Sequence, residues 1–202
     1  MATQTQQKQT LEDKVQLIRQ LYADAPPFAR TALENSLKAL TSFASSPRPK
    51  VESAGRTGIR QGTVSELTLI VPFAPGGAAR LRALLQLRNG SFDDTDQVGT
   101  VHDMRFVFLD DDTKLLFATA YDGDWDAYID DFATKITDQM DVIFSACEGW
   151  PGIRSPKVKD WIVKYQITAE GWYVASPNLT VRDAWRLERI GKAVDEFLDK
   201  IG

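Results

Sequence analysis

An α+β fold is predicted for this chain of 202 residues: a βαββαβ antiparallel sheet with extra helices at both ends. Two observations predict it. Residues 65–144 read strand, helix, strand, strand, helix, strand, which is the order of a ferredoxin-like split unit. Within that stretch Leu67, Leu69, Val71 and Phe73 alternate with Glu66, Thr68 and Ile70, a period of two. Both helical segments instead space their apolar residues three and four apart.

The elements follow in order. Residues 1–9 are polar and rich in Gln and Thr, and no regular element is expected there. Thr10, with Asp13 three positions on, predicts a helix N-cap, followed by Leu11, Val15, Ile18, Leu21 and Tyr22 at helical spacing. Asp24-Ala-Pro-Pro interrupts that helix, and a second starts near Pro27 with Phe28, Leu33, Leu37 and Leu40. Residues 44–62 are dense in Ser, Pro, Gly and Arg and predict a long exposed connection. Its Arg48, Lys50, Arg56 and Arg60 suit either a solvated linker or an anionic ligand.

After the first strand, Pro75-Gly-Gly opens a helix carrying Leu81, Leu84, Leu85 and Leu87, and Asn89-Gly90 closes it as a left-handed cap. A second strand runs from about Gly99 to Leu109, then a turn at Asp110–Thr113, then a third strand from Lys114 to about Tyr121. Asp122-Gly-Asp124 leads into a helix with Trp125, Tyr128, Ile129, Phe132 and Ile136 on one stripe. The β-branched and aromatic run Val142–Phe144 is read as the fourth strand. Beyond Cys147-Glu-Gly-Trp-Pro-Gly, Pro156–Tyr165 is a short amphipathic helix, and Trp172 and Tyr173 lie in an extended piece. Thr180 and Asp183 cap a last helix with Trp185, Ile190, Val194, Phe197 and Leu198 as its apolar stripe. The expected division is 1–62 as helical segment and linker, 63–151 as core and 152–202 as a helical extension packed on it, in one globular domain.

Charged residues make up 26% and the net charge is −4, so no basic footprint for nucleic acid is present. One cysteine excludes an internal disulfide and fits a reducing compartment. MATQTQQKQT has no apolar core for a secretory signal, and no apolar run is long enough to span a membrane. A soluble, cytoplasmic protein without nucleic-acid or membrane partners is expected.

The second strand carries the only histidine, His102. From residue 106 onward it is apolar on both faces, which predicts that both faces are covered. A second copy packed face to face, making a homodimer, is the preferred cover, with the terminal helices as the alternative. His102 suits a general base or an iron ligand, or else a buried structural histidine. Arg105 lies three residues on, across the strand from His102 unless a bulge intervenes, and with Asp103 it reads as a buried ion pair or an oxidant-orienting arginine. Asp122, Asp124 and Asp126 have the spacing of a calcium loop, but Ala127 stands where such loops need glycine, so helix capping is the stronger reading. Cys147 reads as a buried apolar group, and one histidine with one cysteine excludes a standard zinc site.

The strings GTVHDMRFVFLDDD, LLFATAYDGDWDAYIDDF and SACEGWPG resemble a group of bacterial ferredoxin-like proteins. That group has an H-x-x-R strand, a Y-D-G helix start and a C-x-G-aromatic-P turn. The likeness spans roughly Ser65 to Pro177, and the group is similar in architecture to dye-decolorising haem peroxidases and other dimeric α+β barrel proteins. It implies a small oxidoreductase, peroxidase-like and haem-dependent, acting on an apolar or aromatic small molecule. In that reading His102 is the iron ligand or base, Arg105 and Asp122 orient the oxidant, and Met104, Phe106 and Tyr121 line the cofactor pocket with His102. The chain departs from those peroxidases in having no histidine after residue 110 and only Tyr121-Asp122-Gly123 as an echo of their G-x-x-D-G loop. Two rivals stand beside this expectation. One is a cofactor-free cyclase or monooxygenase in which His102 removes a proton; the other is a non-catalytic binding or assembly protein.

Overall fold

The structure, a computed structural model, describes residues 10–43, 48–89 and 91–201. The expectations for residues 1–9, for the start of the connection at 44–47 and for Gly90 lie outside the described residues. The chain divides into two compact units that meet in sequence between Arg48 and Pro49.

The first unit is a helical pair, α1 (Leu11–Leu21) and α2 (Pro27–Phe43). The predicted capping box forms: the Thr10 hydroxyl accepts from the Asp13 N–H, and the Asp13 carboxylate accepts from the Thr10 N–H. Arg19 donates twice to Glu34, at 2.8 and 2.9 Å, and ties the two helices together.

The second unit is α+β. Its sheet has six antiparallel strands: β1 (Val51–Ser53), β2 (Ile59–Gln61), β3 (Val64–Pro72), β4 (Val101–Leu109), β5 (Lys114–Asp122) and β6 (Gln166–Ile167). The order is β1-β2-β3-β5-β4, and β6 pairs with β3 at Thr68 and Leu69. This is not a simple four-stranded split βαβ sheet. The expected fourth strand at 142–144 is instead the end of a helix.

Among the helices, α3 (Gly77–Leu87) follows β3, while α4 (Trp125–Lys135) and α5 (Thr137–Phe144) follow β5. Further on are α6 (Val158–Tyr165) and α7 (Val181–Ile201). In α5, Met140, Ile143 and Phe144 are buried while Val142 is exposed. That is a spacing of three and four, so the burial available on a helix overrides the strand propensity of Val142-Ile-Phe.

The main core lies on one face of the sheet. Leu67, Leu69 and Val71 of β3 and Leu115, Phe117 and Tyr121 of β5 form one cluster with Leu81, Tyr128, Phe132, Ile143 and Trp161 from the helices. Met104, Phe106 and Phe108 of β4 join it half-buried, each opposite an inward residue of β5. Leu67, Val71, Leu81, Leu115, Tyr121, Tyr128 and Ile143 are each 0–1% exposed, and burying a large apolar side chain is worth about 1.5–3 kcal/mol. The other face is only partly covered. Val107 and Ile167 there are 42% and 50% exposed, so a single chain leaves part of that face open.

The connection at 49–62 is more ordered than its composition suggests. β1 and β2 pair as a small hairpin, with Gly55 and Gly58 at positive φ in its turn. Ala54 is fully buried, and its carbonyl accepts from the Trp125 N–H at 2.9 Å. Glu66, 4% exposed, holds the same region: its carboxylate accepts from the Ile59 N–H, the Ala169 N–H and the Thr68 hydroxyl.

Gly77 has a role that the Pro-Gly-Gly helix start does not announce. A Cβ there would lie 2.0 Å from the Ala146 carbonyl oxygen, whose lone pairs already accept from the Ala74 N–H. Gly77→Ala is therefore expected to destabilise the chain by about 1–3 kcal/mol or more through overpacking against backbone. Urea denaturation at unchanged slope checks this, and an unshifted midpoint would show that α3 moves freely.

Candidate functional site

The register of β4 on β5 slips once. Val101 pairs with Tyr121 and Asp103 with Ala120, leaving His102 as the extra residue of a bulge. Upstream of the slip odd residues face the helices, since Val101 sits opposite the buried Tyr121; downstream Met104 does, opposite Thr119. His102 is thereby turned to the open face together with Asp103 and Arg105. Without this bulge His102 and Arg105 would lie on opposite faces of the strand.

Asp122 is the last residue of β5, and its side chain meets His102. The His102 Nε2 and Asp122 Oδ1 are 2.8 Å apart, with the side chains 26% and 11% exposed. The second carboxylate oxygen accepts the Val181 N–H at 2.8 Å, at the first position of α7. A carboxylate at a helix N-terminus is favoured by the dipole and held in one orientation. Thr180 and Asp183 complete the predicted capping box around the same turn. As an ionised acceptor, Asp122 requires the proton of a neutral imidazole to sit on Nε2. Nδ1 is then the nitrogen with a lone pair, able to take a proton from a substrate.

Beside the imidazole lies a cleft of about 280 Å³. Val64, Ala120 and Asp103 of the sheet form its floor with His102, and Trp172, Val174 and Leu179 form its wall. The wall belongs to the extended piece after β6, which Pro177 anchors by accepting from the Thr63 N–H and hydroxyl. Gly62 makes that approach possible, with φ at +63° and Pro177 pressed against it. The aromatic pair Trp172-Tyr173 was legible as extended, but nothing local in the sequence shows that it returns to the sheet.

The remaining expected residues lie elsewhere. Arg105 shares the open face but pairs with Asp103 at 3.2 Å, with side chains 65% and 49% exposed. It is an exposed ion pair rather than a buried one, of little energetic weight, and it does not line the cleft. Met104, Phe106 and Tyr121 face the helices. Phe106 packs on Phe92 and Phe117, and Tyr121 stacks on Tyr128 at 3.7 Å. Burial pushes the Tyr121 phenol well up, so it stays protonated.

The sheet thus stands between His102 and the three residues expected to share a haem pocket with it. The cavity on their side is about 20 Å³, lined by Leu69, Phe117 and Phe132 among others. The cleft on the His102 side is below the roughly 300–1,000 Å³ of drug-sized ligand pockets, and a porphyrin is larger than such ligands. Nε2 of the imidazole is already engaged by Asp122. The residues present do not fit a haem.

The three carboxylates with calcium-loop spacing point to three different partners. Asp122 meets His102, Asp124 meets Arg60, and Asp126 meets Arg56 and Lys159. Asp124 is the N-cap of α4 but makes no side-chain cap bond, because its carboxylate goes to Arg60. Arg56 and Arg60 are thereby neutralised and not poised for an anionic ligand. Hydrogen bonds from Lys159, then from Arg56, hold the Asp126 carboxyl below its ordinary value against the opposing effect of desolvation. That pairing stabilises the fold at neutral pH and is lost as pH falls through the lowered value. No group of three or more potential metal ligands occurs among the described residues. Burial pushes the Cys147 thiol up to about 12, which leaves it without thiolate character near neutrality.

No helix among the described residues is long and apolar enough to cross a membrane. Comparison with known proteins found no matching family model, no matching curated protein and no matching solved structure.

Proposed function

We propose that the chain is a cofactor-free enzyme of the acid–base type, a cyclase or isomerase acting on a small, largely apolar or aromatic molecule bound in the cleft beside His102. The carrying observation is the His102–Asp122 pair at 2.8 Å, partly exposed at the edge of a cleft walled by Trp172. His102 Nδ1 removes a proton from an acidic C–H or phenolic O–H. The electron pair left behind closes onto an electrophilic atom of the same molecule, and the imidazolium returns the proton to the product. Asp122 steadies the imidazolium and is itself held by the Val181 N–H. No external oxidant is needed, so the mass of the product equals that of the substrate.

The test is a panel of phenols and 1,3-dicarbonyl compounds bearing an internal electrophile, followed by ultraviolet absorbance and product mass. Turnover is expected with the colourless protein, and His102→Ala should lower kcat by about 10²–10⁴-fold. A rate unchanged by His102→Ala, or turnover that appears only with added haem, refutes the reading.

A further inference from the structure

The cleft beside His102 is lopsided in charge. Among the described residues that line it, Asp103 is the one carboxylate, His102 is the only imidazole, and none is Lys or Arg. Asp122 stands behind the imidazole with both oxygens engaged, by His102 and by the Val181 N–H. A carboxylate or phosphate on a bound molecule would meet no fixed cation here and would lie beside the charge of Asp103. Such a juxtaposition selects against anions.

Asp103 keeps an oxygen for a ligand. Its Oδ1 accepts from Arg105 at 3.2 Å, while its Oδ2 has no partner among the described residues. Arg105 does not line the cleft, and water screens a pair as exposed as this one. Arg60, by contrast, is less exposed and held between Asp124 and Glu52. Across the strand from Asp103 lies Ala120, whose single methyl leaves room on the cleft floor. The wall supplies a second feature. Trp172 is half-buried there, and its indole packs on no ring and no cation among the described residues. An indole face is the strongest aromatic surface for a cation, most of all where water is partly excluded.

We infer that the molecule bound in this cleft carries a cationic amine on an aromatic or apolar body. The ammonium donates to Asp103 Oδ2 and rests against the Trp172 ring. The body lies along Val64 and Leu179, with its acidic hydrogen toward His102. This rests on the cleft being the seat of the acid–base reaction, and it narrows the substrates to amines. Asp103 is then a specificity-determining residue that takes no proton.

Probes of one shape and different charge test it at neutral pH: phenethylamine, phenethyl alcohol and phenylpropionate. Binding is read from the imidazole resonances of His102, the only histidine. The amine is expected to bind about tenfold more tightly than the alcohol, and the carboxylate not to bind. Asp103→Asn should erase that preference by weakening the amine while the alcohol binds as before. Trp172→Leu should cost the amine more than the alcohol. Circular dichroism of each variant separates a lost contact from a lost fold. Equal affinities for amine and alcohol, a preference that survives Asp103→Asn, equal losses in Trp172→Leu, or no binding of any probe overturns the inference. The two readings fail separately. An amine preference with turnover indifferent to His102→Ala refutes only the acid–base reaction, whereas turnover lost in His102→Ala without an amine preference refutes only the amine.

Discussion

Asp122→Asn is expected to lower kcat by roughly 10²–10⁴-fold while leaving the chain folded. The substitution keeps the size and keeps an oxygen for the Val181 N–H, which lies 2.8 Å from the carboxylate. The amide nitrogen then faces His102 Nε2, where a carboxylate oxygen sits at 2.8 Å in the native chain. An amide nitrogen only donates, so Nε2 must accept, and the imidazole proton moves to Nδ1. The nitrogen meant to take the substrate proton is then already protonated. Initial rates with wild type and variant, together with matched thermal midpoints, check this. Full activity in a folded Asp122→Asn chain would mean that the carboxylate only anchors α7.

The largest stability effect is expected at Trp125. Its side chain is 0% exposed, and its indole N–H donates to Gln166 Oε1 at 2.7 Å. Its backbone N–H donates to Ala54, and Gly55 lies against its Cβ. The residue thus joins the β1–β2 turn, the start of α4 and β6 across long sequence separations. Trp125→Ala removes a large buried surface and leaves Gln166 Oε1 without its donor, at an expected cost of about 3–5 kcal/mol. Trp125→Phe restores most of the volume but not the hydrogen bond, and should cost about 1–3 kcal/mol. Urea denaturation of the two variants separates packing from the bond. Equal losses would show that the bond, not the ring, holds the three segments.

The sequence was most legible where local chemistry decides. Thr10 with Asp13 and Thr180 with Asp183 form the boxes their spacing predicts, and Asn89 adopts φ of +51° at the end of α3. The three long strands fall where their period places them. What was hidden depends on distant partners. Val142-Ile-Phe has the composition of a strand, yet the sheet face offers its residues burial as a helix. The Arg- and Gly-rich connection becomes a hairpin because Asp124 and Asp126 neutralise Arg56 and Arg60 and Trp125 covers Ala54. At the candidate site His102 stood out as the only imidazole, while the spacing of Asp122 read more strongly as helix capping. Their companions Met104, Phe106 and Tyr121 were placed with them because one residue of register decides the face, and no local signal marks the bulge at His102. The wall at Trp172 returns to the sheet through Pro177 and Gly62, a contact that neither segment announces alone.

One histidine in the chain means that its imidazole resonances assign themselves. A long-range ¹H–¹⁵N correlation spectrum of the neutral form therefore reads the pair directly. The geometry predicts a single tautomer protonated at Nε2, shifted when a cleft ligand binds and lost in Asp122→Asn. A ring protonated at Nδ1 in the native chain, or one indifferent to both changes, would contradict the acid–base site proposed for this protein.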